Sequence, residues 1–321
     1  MKAIVRRRYG GPEVLELVEL ETPTPADDEV LVRVRATSVN PAEWYTMTGL
    51  PIGRVQAGLR RPKDQRLGVD MAGVVEAVGA AVTDFAPGDE VYGARSGAFA
   101  EYVCVKNAVA AKPSTLTFEQ AGSVGIAATT ALQALRDKGG LQAGERVLIN
   151  GASGGVGTFA VQIAKALGAG HVTAVCSTRN VENARMLGAD LVIDYTQEDF
   201  TRVGEPHDLL LDVAGSRSYG ATRRALKPGG RYVLAGAPKG GRLLGPVAHI
   251  AKLKLASIGR RPKVIFFVAK LNRDDLLVLS EMFEAGTVTP LVERTYPLAE
   301  IAEAMAYLGE GHARGKIVVT V

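Results

Sequence analysis

The feature that most constrains this 321-residue chain is a glycine-rich turn between a β-like run and a helical run. Residues 147–150 read Val-Leu-Ile-Asn, residues 151–157 read Gly-Ala-Ser-Gly-Gly-Val-Gly, and a run typical of a helix continues to Leu167. Glycines at such a turn let the backbone approach a pyrophosphate, whose charge is met by free N–H groups at the helix N-terminus. Ala152 stands where the first glycine of the G-x-G-x-x-G pattern would be, but strand and helix lie where the motif requires them. The turn therefore predicts a dinucleotide site, with a tight structural turn as the alternative.

The order of β-like and helical runs predicts an α/β fold with two domains. Residues 1–118 contain short alternating runs broken by glycine and proline, which are typical of a small barrel or sandwich. Residues 119–259 alternate strands with helices, which favours a doubly wound parallel sheet of the Rossmann type that binds the dinucleotide. Residues 260–321 hold two helical runs and end in the strand 316–321, which we expect to complete the sheet of the first domain.

The end of the predicted second Rossmann strand indicates which dinucleotide binds. A chain that binds NAD usually has Asp or Glu there, which accepts hydrogen bonds from the ribose hydroxyls. This chain has Ser177, Thr178 and Arg179 instead. Hydroxyls and an arginine suit a 2′-phosphate, since guanidinium pairs with phosphate through two hydrogen bonds. The residues favour NADPH over NADH, with an ordinary surface role for Arg179 as the alternative.

Composition and charge exclude several classes of protein. Lys and Arg number 38 against 34 Asp and Glu, a net charge of +4 that is too small to predict nucleic-acid binding. The two cysteines, Cys104 and Cys176, exclude a disulfide scaffold and a cysteine-rich zinc lobe. The sequence shows neither a run of about 18 apolar residues nor the features of a signal peptide. We therefore expect a cytoplasmic protein that does not associate with membranes.

Further motifs make the sequence similar to the medium-chain dehydrogenase/reductase family along its whole length. Residues 127–135, Ala-Ala-Thr-Thr-Ala-Leu-Gln-Ala-Leu, match the helix that joins the two domains of that family. Residues 68–73, Gly-Val-Asp-Met-Ala-Gly, stand where zinc members have Gly-His-Glu-x-x-Gly, and Asn40 stands where they have a cysteine. The chain resembles the zinc-free quinone oxidoreductases and enone reductases, nearest the reticulon-interacting mitochondrial subgroup. This resemblance implies a GroES-like barrel beside a Rossmann domain, no bound metal and a homodimer.

The resemblance also implies which residues form the site. Asn40 and Tyr45, from the run Asn-Pro-Ala-Glu-Trp-Tyr, are expected beside the nicotinamide and the substrate carbonyl, and both are predicted to be catalytic. The NADPH contacts that the resemblance implies are Asn40, Thr130, Ala152, Ser153, Gly154, Gly155, Val156, Gly157, Ser177, Thr178, Arg179, Tyr195, Val213, Ala214, Gly236, Ala237, Phe266, Phe267, His312, Ala313 and Arg314.

The predicted lack of zinc limits the chemistry. Without a Lewis acid to polarise an alcohol oxygen, hydride transfer to an electron-poor acceptor such as a quinone or an α,β-unsaturated carbonyl is favoured. Tyr45 or Asn40 would donate a hydrogen bond to the oxygen on which charge builds up. Basic residues between positions 49 and 68 are expected either to border the substrate cleft or to face water. Two other functions remain open: a reductase specific for an enoyl thioester or a natural product, and a protein that binds NADPH without catalysis.

Overall fold

The chain is divided between two compact units in the computed structural model. The structure describes residues 1–49, 54, 58–202, 204–236, 245–311 and 313–321. Unit 1 consists of Met1–Thr129, Lys270–Gly286 and Pro290–Val321, and unit 2 consists of Thr130–Ala269 and Thr287–Thr289. The chain therefore passes between the units after Thr129 and after Ala269. Both positions lie later than residues 118 and 259, where the sequence placed the domain boundaries.

A mostly antiparallel sheet organises unit 1. Its strands run in the order β14-β15-β3-β4-β5-β7, strand β6 also pairs with β3, and β1 and β2 pair separately. The bounds are β1 (Lys2–Val5), β2 (Glu16–Glu19), β3 (Val30–Val39), β4 (Asp70–Val78), β5 (Glu90–Ala94), β6 (Tyr102–Val105), β7 (Val109–Ala111), β14 (Val292–Pro297) and β15 (Lys316–Thr320). Strand β15 runs antiparallel to β3, with Val319 opposite Thr37. The prediction that the last strand completes the sheet of the first domain is confirmed.

The helices of unit 1 cover apolar side chains of this sheet. They are α1 (Pro41–Thr48), α2 (Phe118–Ala121), α8 (Arg273–Glu284) and α9 (Ile301–Glu310). Helix α1 begins where the backbone N–H of Asn40 donates to Glu43 Oε2 at 2.9 Å, and Pro41 supplies the fixed φ that suits a first helical residue. The helix ends at Gly49, whose φ of +64° favours glycine. Met47 of α1 and Met305 of α9 are both completely buried in one apolar cluster.

A parallel sheet organises unit 2. Its order is β10-β9-β8-β11-β12-β13, and each neighbouring pair is parallel. The bounds are β8 (Arg146–Asn150), β9 (His171–Cys176), β10 (Leu191–Asp194), β11 (His207–Asp212), β12 (Leu226–Leu234) and β13 (Val264–Phe266). The helices are α4 (Gly155–Ala166), α5 (Val181–Met186), α6 (Tyr219–Arg224) and α7 (Gly245–Ala256), while α3 (Gly125–Gln133) contains the passage between the units. The predicted doubly wound arrangement is confirmed.

The strand order fixes where a ligand can bind in unit 2. From β8 the chain adds β9 and β10 on one side, and then β11, β12 and β13 on the other. The carboxyl ends of β8 and β11 therefore form the point at which the winding reverses, which is where ligands bind in open α/β sheets. Among the residues that the structure describes, no helix has the length and apolar character needed to cross a membrane.

Candidate functional site

The glycine-rich turn joins β8 to α4 at this reversal point. The backbone N–H groups of Gly151 and Ala152 donate to the Val175 carbonyl at 3.2 and 3.0 Å, which ties the turn to β9. Gly151 has a φ of +89°, and a Cβ atom on Gly157 would lie 2.1 Å from the Gly151 carbonyl oxygen. A Cβ on Gly154, in contrast, would come no closer than 3.8 Å to the atoms around it. The turn is therefore tightly packed at Gly157 but leaves space at Gly154. There the N-terminus of α4 offers N–H groups to a phosphate.

A buried carboxylate holds the segments that surround this turn. Asp212, at the end of β11, accepts hydrogen bonds from Asn150 Nδ2 at 2.8 Å, the Gly215 backbone N–H at 2.7 Å and the Tyr232 hydroxyl at 2.8 Å. Burial raises the pKa of Asp212, and these donors oppose the rise. Because the three partners lie on or just after β8, β11 and β12, Asp212 fixes the relative positions of their carboxyl ends.

Three predicted cofactor residues lie at these carboxyl ends. The backbone N–H groups of Val213 and Ala214 donate to the Asn150 carbonyl at 2.9 and 3.3 Å. A Cβ on Gly236 would lie 1.9 Å from the Val213 carbonyl oxygen, so only glycine permits this approach. Val213, Ala214 and Gly236 therefore lie beside the glycine-rich turn, whereas Ala237 is outside the described residues.

The predicted 2′-phosphate residues lie together at the ends of β9 and β10. Thr178 and Arg179 are exposed on a short 3₁₀ turn that follows Ser177, and the Tyr195 backbone N–H donates to the Cys176 carbonyl at 3.0 Å. The Asp194 carboxylate also lies here and accepts from the Thr178 hydroxyl at 2.5 Å. That hydrogen bond is the largest cause that holds the pKa of Asp194 below its usual range. The site predicted from hydroxyls and an arginine thus includes an ionised carboxylate.

The predicted catalytic Asn40 belongs to a buried polar network within unit 1. The Asp70 carboxylate, which is completely buried, accepts from Ser38 Oγ at 2.5 Å, Asn40 Nδ2 at 3.0 Å, Lys316 Nζ at 3.3 Å and the Ile126 backbone N–H at 2.6 Å. Asn40 Oδ1 accepts from Lys316 Nζ, and Nδ2 also faces the Ser38 carbonyl at 3.4 Å. Both faces of the Asn40 amide are thus engaged within the protein. The ammonium of Lys316 is the positive charge that compensates Asp70.

Tyr45 and Glu43 lie on helix α1, next to this network. Tyr45 is partly buried, and this burial raises the pKa of its phenol, so the hydroxyl stays protonated near neutral pH. Burial, followed by the nearby Asp70 carboxylate, raises the pKa of Glu43 to about 8. Glu43 Oε2 accepts from the Asn40 backbone N–H, whereas Glu43 Oε1 is buried and bonds to no described residue. The start of α1 thus carries a phenol and a carboxyl that both hold a proton near pH 7.

Comparison with known proteins decides the family. Residues 26–115 match the family described as alcohol dehydrogenase GroES-like domain, and residues 187–319 match the one described as zinc-binding dehydrogenase. The chain is 37% identical, over 100% of its length, to NAD(P)H oxidoreductase RTN4IP1, mitochondrial, of Mus musculus, and it covers 89% of that protein. The chain belongs to the medium-chain dehydrogenase/reductase family. Its predicted combination of a GroES-like domain and a Rossmann domain is confirmed.

Other relatives place this medium-chain dehydrogenase/reductase among the quinone oxidoreductase-like members. NADPH-dependent alkenal/one oxidoreductase, chloroplastic, of Arabidopsis thaliana is 34% identical over 99% of this chain and 79% of its own length. The crystal structure of Escherichia coli quinone oxidoreductase complexed with NADPH matches with a TM-score of 0.84 and 25% identity, over 100% of both chains. The protein is therefore an NAD(P)H-dependent oxidoreductase of this family.

The remaining predicted residues of this family member are divided between the two units. In unit 2, Thr130 is partly buried in α3, Phe266 ends β13, and the Phe267 ring lies 5.8 Å from Lys138 Nζ. In unit 1, Ala313 and Arg314 precede β15, and the Arg314 backbone N–H donates to Glu293 Oε2 at 2.6 Å. Arg314 Nε also faces Glu293 Oε1 at 3.4 Å, which gives this arginine a structural partner. His312 is outside the described residues.

Sequence reasoning missed three polar residues at these sites. Asp194 ends β10, and its partner Thr178 lies 16 residues earlier, just after the end of the neighbouring strand β9. Asp212 ends a β-like run, a position that often carries function in a parallel sheet and could have indicated it. Lys316 carries no such signal, because it begins a strand 246 residues after Asp70. Within the described ranges, no three His, Cys, Asp or Glu side chains come together as a metal site requires.

Proposed function

We propose that this chain is an NADPH-dependent reductase that transfers hydride to quinones or α,β-unsaturated carbonyl compounds without a metal. The observation that carries this proposal is the ammonium of Lys316, which hydrogen-bonds Asn40 Oδ1 and Asp70 Oδ2. Asn40 and Asp70 occupy positions that resemble the metal-binding segments of zinc relatives. A buried cation already compensates the carboxylate there, so a second cation at the same atoms would meet strong repulsion. An acceptor that needs no Lewis acid fits such a site best.

The open glycine-rich turn of unit 2 fits the pyrophosphate of a dinucleotide. Ser153, Gly154, Gly155 and Val156 are all partly accessible there, whereas Ala152 and Gly157 are buried beneath them. A nicotinamide cofactor, when bound, supplies the hydride. The chain's own contribution is the N-terminus of α4, whose N–H groups and positive dipole end would hold the diphosphate.

Tyr45 is the residue best suited to hydrogen-bond the acceptor. Hydride adds to the β-carbon of an enone, negative charge builds up on the carbonyl oxygen, and a proton from water completes the α-carbon. A protonated phenol can stabilise that oxygen by donating a hydrogen bond. Asn40 was predicted to share this role, but its amide N–H groups face Asp70 and the Ser38 carbonyl. We therefore propose Tyr45 as the donor and Asn40 as a positioning residue.

The decisive experiment follows NADPH oxidation with a panel of acceptors. The panel contains 1,4-benzoquinone, a cyclic enone, a linear enal and a crotonyl thioester, and each is run with NADH as a control. Tyr45→Phe should lower turnover about a hundredfold, the loss seen when one donor to a developing oxyanion is removed. Tyr102→Phe, on strand β6, is the matched control and should leave turnover unchanged. Turnover of the thioester alone would favour a specialised enoyl reductase, and NADPH binding without any turnover would favour a non-catalytic role.

The preference for NADPH rests on Ser177, Thr178 and Arg179 at the end of β9. Arg179→Ala should weaken NADPH binding by about 1–3 kcal/mol, the value of a hydrogen bond to a charged group, and should leave NADH binding nearly unchanged. Asp194→Asn is the opposite test, because it removes a negative charge beside Thr178 and should tighten NADPH binding. Titration of both cofactors by fluorescence checks this, and equal losses for NADPH and NADH in Arg179→Ala would contradict the assignment.

We also propose that the chain forms a homodimer and works in the cytoplasm. Strand β13 is an end strand in the order of the parallel sheet, and Ile258 and Val268, which flank it in sequence, are 71% and 79% exposed. An end strand beside exposed apolar side chains is a surface that a second chain can cover. Light scattering of the purified protein tests the dimer, and a monomeric mass would exclude it. Cell fractionation tests the location, since the relatives named above include mitochondrial and chloroplastic proteins.

A further inference from the structure

A cavity of about 270 Å³ lies within unit 1 beside the helix that carries Tyr45. Helix α1 contributes Ala42, Glu43 and Thr46 to its lining. The rest of the lining includes Arg6, Lys63, Asp64 and Arg66. Several charged side chains thus line a cavity beside the helix that carries the predicted catalytic Tyr45.

The buried guanidinium of Arg6 is the main positive charge of this cavity. Arg6 follows strand β1 and is only 2% exposed. Its guanidinium donates to the Thr46 carbonyl, but its buried Nε–H has no partner among the described residues. Burial lowers the pKa of Arg6, and the electrostatic influence of Tyr9, followed by that of the Asp64 carboxylate, opposes this. An arginine remains charged in proteins, so its burial calls for a compensating anion.

The carboxylate of Asp64 is already hydrogen-bonded to two other residues of the same lining, Arg66 and Ser96. Asp64 is exposed, and its Oδ1 accepts from the Arg66 backbone N–H at 3.0 Å while its Oδ2 accepts from Ser96 Oγ at 3.3 Å. Lys63 is exposed and Arg66 half-buried on the same lining. With Glu43 protonated, three cations therefore face one anion, and the cavity has a net positive charge.

Glu43 gives the cavity a second unused polar group. Its Oε1 is buried and unpartnered, whereas its other carboxyl oxygen, Oε2, accepts from the Asn40 backbone N–H. A carboxyl that keeps its proton can donate a hydrogen bond through this oxygen to a ligand. Arg6 and Glu43 together thus offer two donors, and a ligand with two acceptor oxygens and a negative charge satisfies both.

We propose that this cavity binds a carboxylate group of the hydride acceptor, so that the preferred substrates are α,β-unsaturated carbonyl compounds that carry a carboxylate. Arg6 and Glu43 donate hydrogen bonds to its two oxygens, and Lys63 and Arg66 attract it from solvent. This inference rests on the proposed function and deepens it by naming the substrate class. The reaction itself is unchanged, with one hydride to the β-carbon of the enone and one proton from water to the α-carbon.

The first test compares one acceptor with and without its charge. The wild-type protein should reduce 4-oxopent-2-enoate with a kcat/KM at least about tenfold above that of its methyl ester, as expected for a hydrogen-bonded charged group. Lys63→Gln should reduce this ratio severalfold, and Arg6→Met should abolish it. Arg7→Met removes a neighbouring arginine whose side chain is 63% exposed, so it is the matched control and should keep the ratio.

A second test needs no turnover. The saturated acid 4-oxopentanoate should raise the melting temperature of the wild-type protein, whereas its methyl ester should not, and Lys63→Gln should weaken the effect. Because Lys63 is exposed, this variant should fold even if Arg6→Met does not. Inorganic phosphate at equal ionic strength should give a smaller shift, and an equal shift would overturn the assignment to a carboxylate.

The outcomes separate this inference from the proposed function. Equal kcat/KM values for acid and ester overturn the carboxylate site while they leave the reductase activity intact. Absence of turnover with every acceptor overturns the proposed function. The melting-temperature shift with 4-oxopentanoate then tests by itself whether the cavity binds a carboxylate. A preference for the acid that survives in both Arg6→Met and Lys63→Gln overturns the assignment to this cavity.

Discussion

Replacing Lys316 with methionine should destabilise unit 1 by about 3–5 kcal/mol, the cost of removing one partner from a buried ion pair. Lys316 is 2% exposed and Asp70 is completely buried, so water cannot reach the carboxylate when the ammonium is lost. Three neutral donors, from Ser38, Asn40 and Ile126, would remain on Asp70. These three donors would still stabilise the Asp70 carboxylate in part, but none of them carries the positive charge that compensates it.

The single tryptophan of the chain provides the assay. Trp44 lies on α1 and packs against the apolar cluster of unit 1, so its fluorescence during urea unfolding reports on this unit. The midpoint for Lys316→Met should fall, and the change in unfolding free energy follows from the midpoint and the slope. Lys106→Met is the matched control, because Lys106 pairs with Asp28 at the surface and should cost at most about 1 kcal/mol.

A double variant isolates the charge. Adding Asp70→Asn to Lys316→Met removes the uncompensated carboxylate, so the double variant should lose less stability than the two single losses combined. Strict additivity would refute the reasoning, because it would mean that Lys316 and Asp70 do not interact. A loss below about 1 kcal/mol for Lys316→Met would refute it as well, since that is the range of an exposed pair.

Two further predictions concern unit 2. Gly157→Ala places a Cβ 2.1 Å from the Gly151 carbonyl oxygen and should weaken NADPH binding at least about tenfold. In the control Gly220→Ala, the added Cβ meets no atom within 4 Å, so NADPH binding should not change. Equal dissociation constants for the two variants in fluorescence titrations would contradict this. Burial lowers the pKa of His207 to about 4. Between pH 6.5 and 4 the unfolded chain therefore binds a proton that the folded chain does not. The free energy of unfolding should fall on acidification through this range by up to roughly 3 kcal/mol. Urea unfolding across this range should show a weaker pH dependence in His207→Gln, and an unchanged dependence would contradict the assignment.

The glycine-rich turn could be predicted because its constraints are local. A glycine-rich segment between a strand and a helix needs only its own residues to form, and residues 147–157 contain all of them. The same holds for the start of α1, where Asn40, Pro41 and Glu43 determine the helix boundary within four positions. The alternation of strands and helices then indicated the parallel sheet, because only a few compact architectures can be built from elements in that order.

Contacts between distant strands could not be predicted in this way. Asp194 reaches Thr178 because β10 pairs with β9 in the register that puts Asp194 opposite Cys176. Sequence reasoning looked for a carboxylate within the second strand and found none, although the neighbouring strand supplies one. Arg6 shows the same limit, since nothing in the run Arg6-Arg7-Arg8 distinguishes one arginine from another, and only the packing of unit 1 shows that the first of the three is buried.

The position of β15 between β14 and β3 has a consequence for synthesis of the protein on the ribosome. Asp70 emerges 246 residues before Lys316, an interval of roughly 10 to 50 s at ordinary translation speeds. Throughout that interval β3 lacks one neighbour, and the carboxylate that will be buried has no ammonium to meet it. Thr130–Ala269 form a continuous stretch of the chain and can assemble their sheet in the meantime. The nascent chain is thus most exposed to chaperones and proteases after Met1–Thr129 have been synthesised and before β15 has been added to their sheet.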